Sequence, residues 1–430
     1  MQKGKGFEQI EKTAKFGIDL SLDRISVLMN YLDNPQDKLK YVHVAGTNGK
    51  GSTCALLQSI LTDAGYKTGK FISPHLECFN ERISINGVLI SDDELKKLSS
   101  GILEKTEKMV RDGFEHPTQF EIICAMAFFY FYQQKCDIVV LEVGLGGRLD
   151  ATNIIKNPLV SVITTIAYDH TDRLGNTLGQ IAGEKAGIIK GGGCVVSAPQ
   201  ESEALKVIEN RCKEEHCKLA MADMNLLKFK YLNQEFQVFD FEGYKSLALG
   251  LMGEHQLKNA ATAIKAVDEL RGKGFVISDE NIYEGVKNAI NPGRFEVLGK
   301  SPEVVIDGAH NINGITALKD ALTSYYSGKR IILVMAVLSV KDYEEMVGIL
   351  APLADICIAS EPVSENALPA EKLADCFKRN GKECLIEKNI PQVLNLALEQ
   401  AGENDVICLC GSLYFIGHVR THWLEISRKS

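Results

Sequence analysis

Apolar residues in the first half of the chain come in short unbroken runs, separated by longer stretches with helical spacing. "YVHVAG" (41–46) reads as a strand, and "GSTCALLQSILTDAGY" (51–66) as the helix after it. "CDIVVLEVG" (136–144) and "LVSVITTIA" (159–167) are further strands. They lack polar alternation, as expected when both faces of a sheet are covered. "TLGQIAGEKAGIIK" (177–190) reads as a helix and "GCVVSA" (193–198) as the next strand. This alternation predicts a mostly parallel sheet with helices on both sides. "FEIICAMAFFYFYQQK" (120–135) falls short of the roughly 20 residues of a membrane span and reads as a buried helix.

Residues 225–250 differ: their pattern suggests antiparallel hairpins in a small separate sheet. Two helical stretches follow, and then "NPGRFEVL" (291–298), a Pro-Gly break. We expect a hinge there, around Gly293. Beyond it the alternation restarts with "EVVIDGAHN", "RIILVMAVL", "ADICIAS", "CLIEK" and "DVICLCG" as strands. The expected organisation is an N-terminal domain over 1–293 and a second α/β domain over 294–430.

A chain of 430 residues fits two or three domains. Its formal net charge of -8 argues against a general nucleic-acid binder. The opening "MQKGKGFEQIEKTAKFG" has no apolar stretch of the signal-peptide kind, so the expectation is a cytoplasmic protein, with no membrane partner, whose 12 cysteines stay reduced. Cys212, His216 and Cys217 lack a fourth ligand and sit at a charged helix end, which makes a zinc site a poor reading. Cys408 and Cys410 face one side of a strand, where packing explains them better.

His43 to Thr53 reads "HVAGTNGKGST". The common phosphate-loop spacing is G-x-x-x-x-G-K-[ST]. Here Gly46 to Gly49 is a shorter gap, and Gly51 parts Lys50 from Ser52. The chemistry is still that of an anion cradle. Glycines let backbone N–H groups approach a phosphate closely. The helix starting near Ser52 turns its positive end to the loop. Lys50 can reach the β- or γ-phosphate, and Ser52 or Thr53 can add a hydroxyl. The competing reading is a glycine-rich turn with a solvated lysine, but the strand–loop–helix setting favours phosphate.

Other residues gather around this loop. Glu142 ends an apolar strand, at the edge where open α/β sheets bind ligands, and is a candidate Mg²⁺ ligand. Asp169, His170 and Asp172 follow the next strand. A histidine is an unusual neighbour for Mg²⁺, which prefers oxygen, and alone His170 would read as a loop residue. Lys185, beside Glu184 on a helix, would alone read as a solvated charge.

Eleven segments then occur in a telling order: "HVAGTNGKGS", "SPHL", "FNERI", "TQFE", "EVGLGGRLDATN", "DHTDRLG", "EKAGIIK", "GEHQLKNAATA", "PGRFE", "DGAHN" and "GSLY". From about residue 17 to about 415 the chain resembles the folylpolyglutamate synthases and bifunctional dihydrofolate synthases of the Mur ligase superfamily. That resemblance implies an α/β fold with an N-terminal P-loop ATPase-type domain and a C-terminal Rossmann-like domain. It also makes the short-gapped loop a variant P-loop. The implied reaction is ATP-dependent joining of L-glutamate to a folate or to dihydropteroate through an acyl phosphate. The implied state is a monomer.

Residue roles follow from the same resemblance. Thr47, Asn48, Gly49, Lys50, Gly51 and Ser52 match the ATP phosphate loop, with Asn259, Arg294 and Asp307 as further nucleotide contacts. Ser73, Glu142 and His170 match ligands of Mg²⁺, as one ion or two. Lys185 matches a lysine that is carbamylated in the superfamily, and His310 a residue near the transferred phosphate. Lys50, Lys185 and His310 are thus the expected catalytic set. Gly17, Ile18, Asp19 and Leu20, Thr118, Gln119 and Phe120, and Leu149, Asp150 and Ala151 match pterin-binding segments. Phe120 could stack on a flat ring, although it also suits the start of a core helix. Arg82 could meet a folate carboxylate or form a surface ion pair. Ser412 matches the glutamate or phosphate side. Three other readings stay open: a folylpolyglutamate synthase without the dihydrofolate synthase activity, a Mur-type ligase acting on a cell-wall precursor, and a nucleotide-binding switch without ligase activity.

Overall fold

The computed structural model describes residues 8–11, 13, 17, 21–233 and 235–428. The chain divides into two compact bodies. One comprises residues up to Gly250 together with Gln256–Ile290; the other comprises Leu251–His255 with Asn291–Ser430.

The first body is built on β1 (Tyr41–Ala45), β2 (Thr68–Phe71), β3 (Ile83–Ile85), β4 (Val88–Leu89), β5 (Ile138–Glu142), β6 (Val160–Ile163), β7 (Cys194–Ser197) and β8 (Lys218–Met221). They form one sheet in the order β4-β3-β2-β5-β1-β6-β7-β8. Its pairings are parallel from β2 to β8, while β3 and β4 run antiparallel at one edge. The β3–β4 hairpin turns on Asn86 and Gly87, both at positive φ, as a tight two-residue turn requires. That hairpin, β2 and β8 are absent from the strand pattern read above. Their runs are short and carry Gly, Lys or Asn, so apolar continuity does not reveal them.

Strand β1 is wholly buried because β5 and β6 flank it. Alternation assigns the two faces. Tyr41, Phe71, Val139 and Leu141 enter the core cluster of the Gln119–Gln133 helix, the expected buried helix. The Lys50–Asp63 helix packs against β1, β2 and β5 on the other face. A second helix, Asp279–Asn288, packs on it. Their approach is close: a Cβ on Gly285 would lie 2.4 Å from Ile60 Cα. Strands β9 (Lys228–Leu232), β10 (Gln237–Phe241) and β11 (Tyr244–Leu249) form the separate antiparallel sheet expected over 225–250.

The second body holds β12 (Glu296–Lys300), β13 (Glu303–Ile306), β14 (Ile331–Met335), β15 (Ile356–Ala359), β16 (Cys384–Ile386) and β17 (Val406–Cys410). Their order is β12-β13-β17-β14-β15-β16, parallel except at β12. Cys408 and Cys410 both point into the core of this body. Cys212 is buried in the first body, and the Cys217 thiol donates to the Lys190 carbonyl at 3.0 Å.

The helix contact at Gly285 supports the helix that carries the phosphate loop, so it makes a direct test of the packing. Gly285→Ala is expected to cost about 1–3 kcal/mol, the usual range for overpacking. Urea unfolding measures it; an unchanged midpoint would contradict the contact.

Candidate active site

The loops after β1, β2, β5 and β6 leave the sheet at one edge, the C-terminal ends of neighbouring parallel strands. The loop after β1 is held from beneath. Thr47 and Asn48 N–H donate to the Thr165 carbonyl at 2.8 and 3.2 Å. Thr47 Oγ1 donates to the Ala167 carbonyl and accepts from the Ala167 N–H. Glycine is required at two points. Gly46, at φ 151°, would put a Cβ 1.8 Å from Thr164 Oγ1. Gly49, at φ 89°, would put one 2.3 Å from Asn259 Oδ1. The second contact brings Asn259, 210 residues later in sequence, onto the loop itself. Its amide is oriented by donating to Gln256 Oε1 at 2.9 Å. The helix begins at Lys50, and its first intrahelical bond runs from Thr53 N–H to the Gly49 carbonyl. The Lys50 and Gly51 amides precede that bond.

Two lysines converge on this loop. Lys50 Nζ donates to the Gly46 and Thr47 carbonyls at 3.1 and 3.2 Å. Lys185 Nζ, from the last turn of the Leu178–Ala186 helix, donates to the same Gly46 carbonyl at 3.0 Å. Lys185 is buried. Burial, then the neighbouring Lys50 charge, pushes its pKa down from 10.5 to about 7, against the pull of Asp169 and Asp150. It is therefore not the solvated cation that its helix alone would suggest.

The metal candidates lie at the same edge. Glu142, the last residue of β5, is buried, and its Oε2 accepts from the Ser73 N–H at 3.3 Å. His170 begins the short turn after β6 in a left-handed conformation, φ 50°, with a half-exposed side chain. Its N–H donates to Asp169 Oδ1 at 2.9 Å. The Glu142 carboxylate and Ser73 hydroxyl are oxygen donors of the kind Mg²⁺ prefers, with phosphate and water oxygens filling the rest of such a shell; the His170 imidazole is the departure from that preference. Among the described residues no three His, Cys, Asp or Glu side chains form a ready-made cage.

The pterin-side residues fall into two groups. Asp150 is buried and used internally. Its carboxylate accepts from Leu145 N–H at 2.8 Å, Thr152 N–H at 3.0 Å and Thr152 Oγ1 at 2.5 Å. Thr118 caps the Gln119–Gln133 helix in a reciprocal box with Glu121, and Glu121 pairs with Arg24 at 3.2 Å. Ala151 is buried, and Gln119 Nε2 donates to the Ile10 carbonyl at 3.1 Å. These residues shape loops. Phe120, Leu149 and Arg82 are partly exposed, and Gly17 is exposed. The Phe120 ring lies against Phe71 and closes over Gly144, where a Cβ would meet its tip at 2.4 Å. Arg82 Nε donates to His75 Nδ1 at 3.0 Å, and its guanidinium sits 5.7 Å from the Phe79 ring. Ile18, Asp19 and Leu20 lie outside the described residues.

One participant was not read from the sequence. His43, buried in β1, reaches Thr152 Oγ1 through Nε2 at 2.9 Å. Thr152 spends its proton on Asp150, so His43 Nε2 is the donor. Burial, reinforced by Lys190, pushes His43 down to about 3, which keeps it neutral. The strand of the phosphate loop is thereby tied to the 145–152 loop. A histidine inside an apolar strand was the only available signal.

In the second body, Asp307 is buried and bonds to two backbone amides, Phe295 and Ala309, each at 2.7 Å. Burial raises its pKa, and Arg294 opposes the rise. A Cβ on Gly308 would fall 2.8 Å from Arg294 Nη1. His310 Nδ1 donates to the Gly308 carbonyl at 2.8 Å. Ser412 caps the Leu413–Ser427 helix by accepting from Tyr414 N–H. The adjacent Gly411 N–H donates to the Ala309 carbonyl, which draws "DGAHN" and "GSLY" together. The 293–296 segment belongs to this body: Gly293 N–H donates to Glu296, which also accepts from Arg420.

Residues 44–267 match the family described as the Mur ligase middle domain, and residues 293–413 the Mur ligase glutamate ligase domain. The chain is 37% identical over 423 residues to the dihydrofolate synthase/folylpolyglutamate synthase of Bacillus subtilis, covering 94% of this chain and 95% of that one. Among solved structures, it is similar to the Mycobacterium tuberculosis folylpolyglutamate synthase complexed with ADP and AMPPCP: TM-score 0.90, 31% identity, 97% and 98% coverage. The bifunctional folylpolyglutamate synthase/dihydrofolate synthase of Yersinia pestis, complexed with AMPPNP and Mn ion, gives a TM-score of 0.83 at 31% identity, with 96% of each chain covered.

Two outcomes follow from the loop. Gly49→Ala strains a positive-φ position by about 1 kcal/mol and drives a methyl into Asn259, so ADP binding should weaken at least tenfold by calorimetry. Unchanged affinity would contradict the Gly49–Asn259 contact. Lys185 binds its proton more weakly in the folded chain than in the unfolded one, so the unfolded state holds the extra proton between pH about 7 and 10.5. Lys185 therefore contributes a rise in stability with pH across that window. Urea midpoints in CO₂-depleted buffer should rise less from pH 7 to 9 in Lys185→Met than in the parent; identical slopes would contradict the assignment.

Proposed function

The chain belongs to the Mur ligase family, and on that premise we propose that it is an ATP-dependent ligase joining L-glutamate to folates and to dihydropteroate. The observation that carries this reading is the convergence of Lys50 and Lys185 on the Gly46 carbonyl, at a helix N-terminus and beside the Glu142–Ser73 edge. A glycine-rich loop at a helix N-terminus, with Lys50 on it, favours an anion, and a nucleotide phosphate is the anion that such a loop and helix end bind.

A carboxylate is a poor electrophile. Transfer of the γ-phosphoryl to the substrate carboxylate creates a leaving group. The glutamate amine then attacks the acyl carbon, the C–O bond to phosphate breaks, and an amide forms with ADP and phosphate released. Catalysis of phosphoryl transfer is mainly positioning and charge neutralisation. We assign the chain's part as follows. Thr47 to Ser52 hold the phosphates, with Lys50 as the counter-charge, and Asn259 contacts the nucleotide. Mg²⁺, as one ion or two, held by Glu142, Ser73 and His170, supplies further charge neutralisation when bound. Arg294 offers a planar fork of donors for phosphate, Asp307 holds the Arg294–His310 segment in shape, and His310 serves the transferred phosphate. Ser412 serves the glutamate or phosphate side. Phe120 offers a face to the pterin, and Arg82 a cation to a folate carboxylate.

Lys185 has a separate role in this proposal. With a pKa of about 7, about half of its amines are neutral at pH 7, against about one in 3,000 for an unperturbed lysine. The neutral amine is the form that adds CO₂. A carbamate there replaces one of two clashing cations with an anion facing Lys50. No helix among the described residues is long and apolar enough to cross a membrane. We propose a cytoplasmic monomer.

The first test is product identification by mass, with MgATP, L-glutamate and either dihydropteroate or tetrahydrofolate. Glutamylation of both is expected; no product from either would overturn the proposal. Lys185→Ala should lose about 100-fold or more in kcat, the scale of one lost electrostatic group, with partial rescue by a short carboxylate such as acetate. Full activity without rescue would contradict the carbamate.

A further inference from the structure

Lys70 lies inside β2, in a strand of four residues whose other members are buried. The strand registers place it. Gly69 pairs with Val139, Lys70 with Val140 and Phe71 with Leu141. Phe71, Val139 and Leu141 enter the core of the Gln119–Gln133 helix. By alternation Lys70, Val140 and Glu142 share the opposite face, under the Lys50–Asp63 helix. Lys70 and Glu142 are thus diagonal neighbours on adjacent strands, a separation long side chains bridge. Lys70 also stands three residues before Ser73, whose N–H donates to Glu142.

The surroundings agree with the register. Burial lowers the proton affinity of Lys70, while Cys54, Glu142 and Glu81 act against that loss. Glu81 is committed to the loop after β2: its carboxylate accepts from Leu76, Glu77 and Cys78 N–H at 2.7 to 2.8 Å. Glu142 is the carboxylate at the open sheet edge.

We propose that Lys70 is a positioning residue acting as the built-in counter-cation of Glu142, and that it sets how tightly the Glu142 edge binds a divalent ion. This rests on the reading of Glu142 as a metal ligand. An ammonium on the same sheet face as a metal site, one strand away, repels the arriving ion. The site would therefore take a divalent cation firmly only when nucleotide phosphates add their own negative charge. Metal loading would be tied to nucleotide loading.

The test is a Mn²⁺ titration of the full-length protein followed by the electron paramagnetic resonance signal of free Mn²⁺, with and without saturating ADP. Lys70→Met removes the charge and keeps the bulk; Lys70→Arg keeps the charge. Lys70→Met should bind Mn²⁺ roughly three- to tenfold more tightly without nucleotide, as expected for removing one like charge from the adjacent strand, with a smaller gain when ADP is present. Lys70→Arg should match the parent. Equal or weaker Mn²⁺ binding in a folded Lys70→Met would overturn the inference while leaving the metal site intact. A parent protein that binds no Mn²⁺ even with ADP would overturn the metal reading, and this inference with it. If Lys70→Met does not fold, Lys70→Gln decides on the same readout.

Discussion

One carbonyl oxygen, that of Gly46, accepts hydrogen bonds from the amines of both Lys50 and Lys185. The rest of the site is arranged around that shared contact. Like charges at this separation repel, the more so when one is buried. The chain eases this by pushing the Lys185 pKa down to about 7, so that the amine is only about half protonated near neutral pH. An incoming anion removes the remaining conflict. A negative charge between the helix end and the two lysines would add to the pull that Asp169 and Asp150 already exert on Lys185.

The sheet explains how residues so far apart in sequence reach this point. Strand β1 is central, so the loop after it lies between the loops that follow β5 and β6. Thr165 and Ala167, beyond β6, hold Thr47 and Asn48 from below. Glu142 stands at the tip of β5, and the Ser73 amide reaches it from the end of β2. Beneath the sheet edge, the His43–Thr152–Asp150 chain ties the phosphate-loop strand to the loop after β5. His43 enters this chain through Nε2 alone, its buried Nδ1 having no hydrogen-bond partner among the described residues.

Much of this was legible in the sequence, and the limits have physical causes. Long apolar strands and the helix over 119–133 follow from periodicity, because burial on both faces leaves no polar alternation to confuse the reading. Short strands did not show: "TGKF" has one aromatic and one lysine, and four residues carry little periodicity. The phosphate loop was legible because glycine, lysine and hydroxyl types are each required by its chemistry. Asn259 was reachable only through resemblance, since nothing in its own helix signals that it covers Gly49. Asp150 and Asp307 look like ligand contacts in one dimension. In the folded chain their carboxylates also hold backbone amides, a role that one dimension does not show. His43 and Lys70 were missed for the same reason: a lone polar residue in a strand carries no spacing signal, and its role depends on the strand next to it.

In the proposed reaction the substrate carboxylate is activated by phosphorylation at the Lys50–Lys185 loop. The most direct measurement is isotope transfer. Dihydropteroate labelled with ¹⁸O in its carboxylate would be converted with MgATP and L-glutamate, and the released phosphate analysed by mass spectrometry. An acyl phosphate requires one ¹⁸O to appear in each phosphate formed. Unlabelled phosphate alongside the amide product would rule out an acyl phosphate.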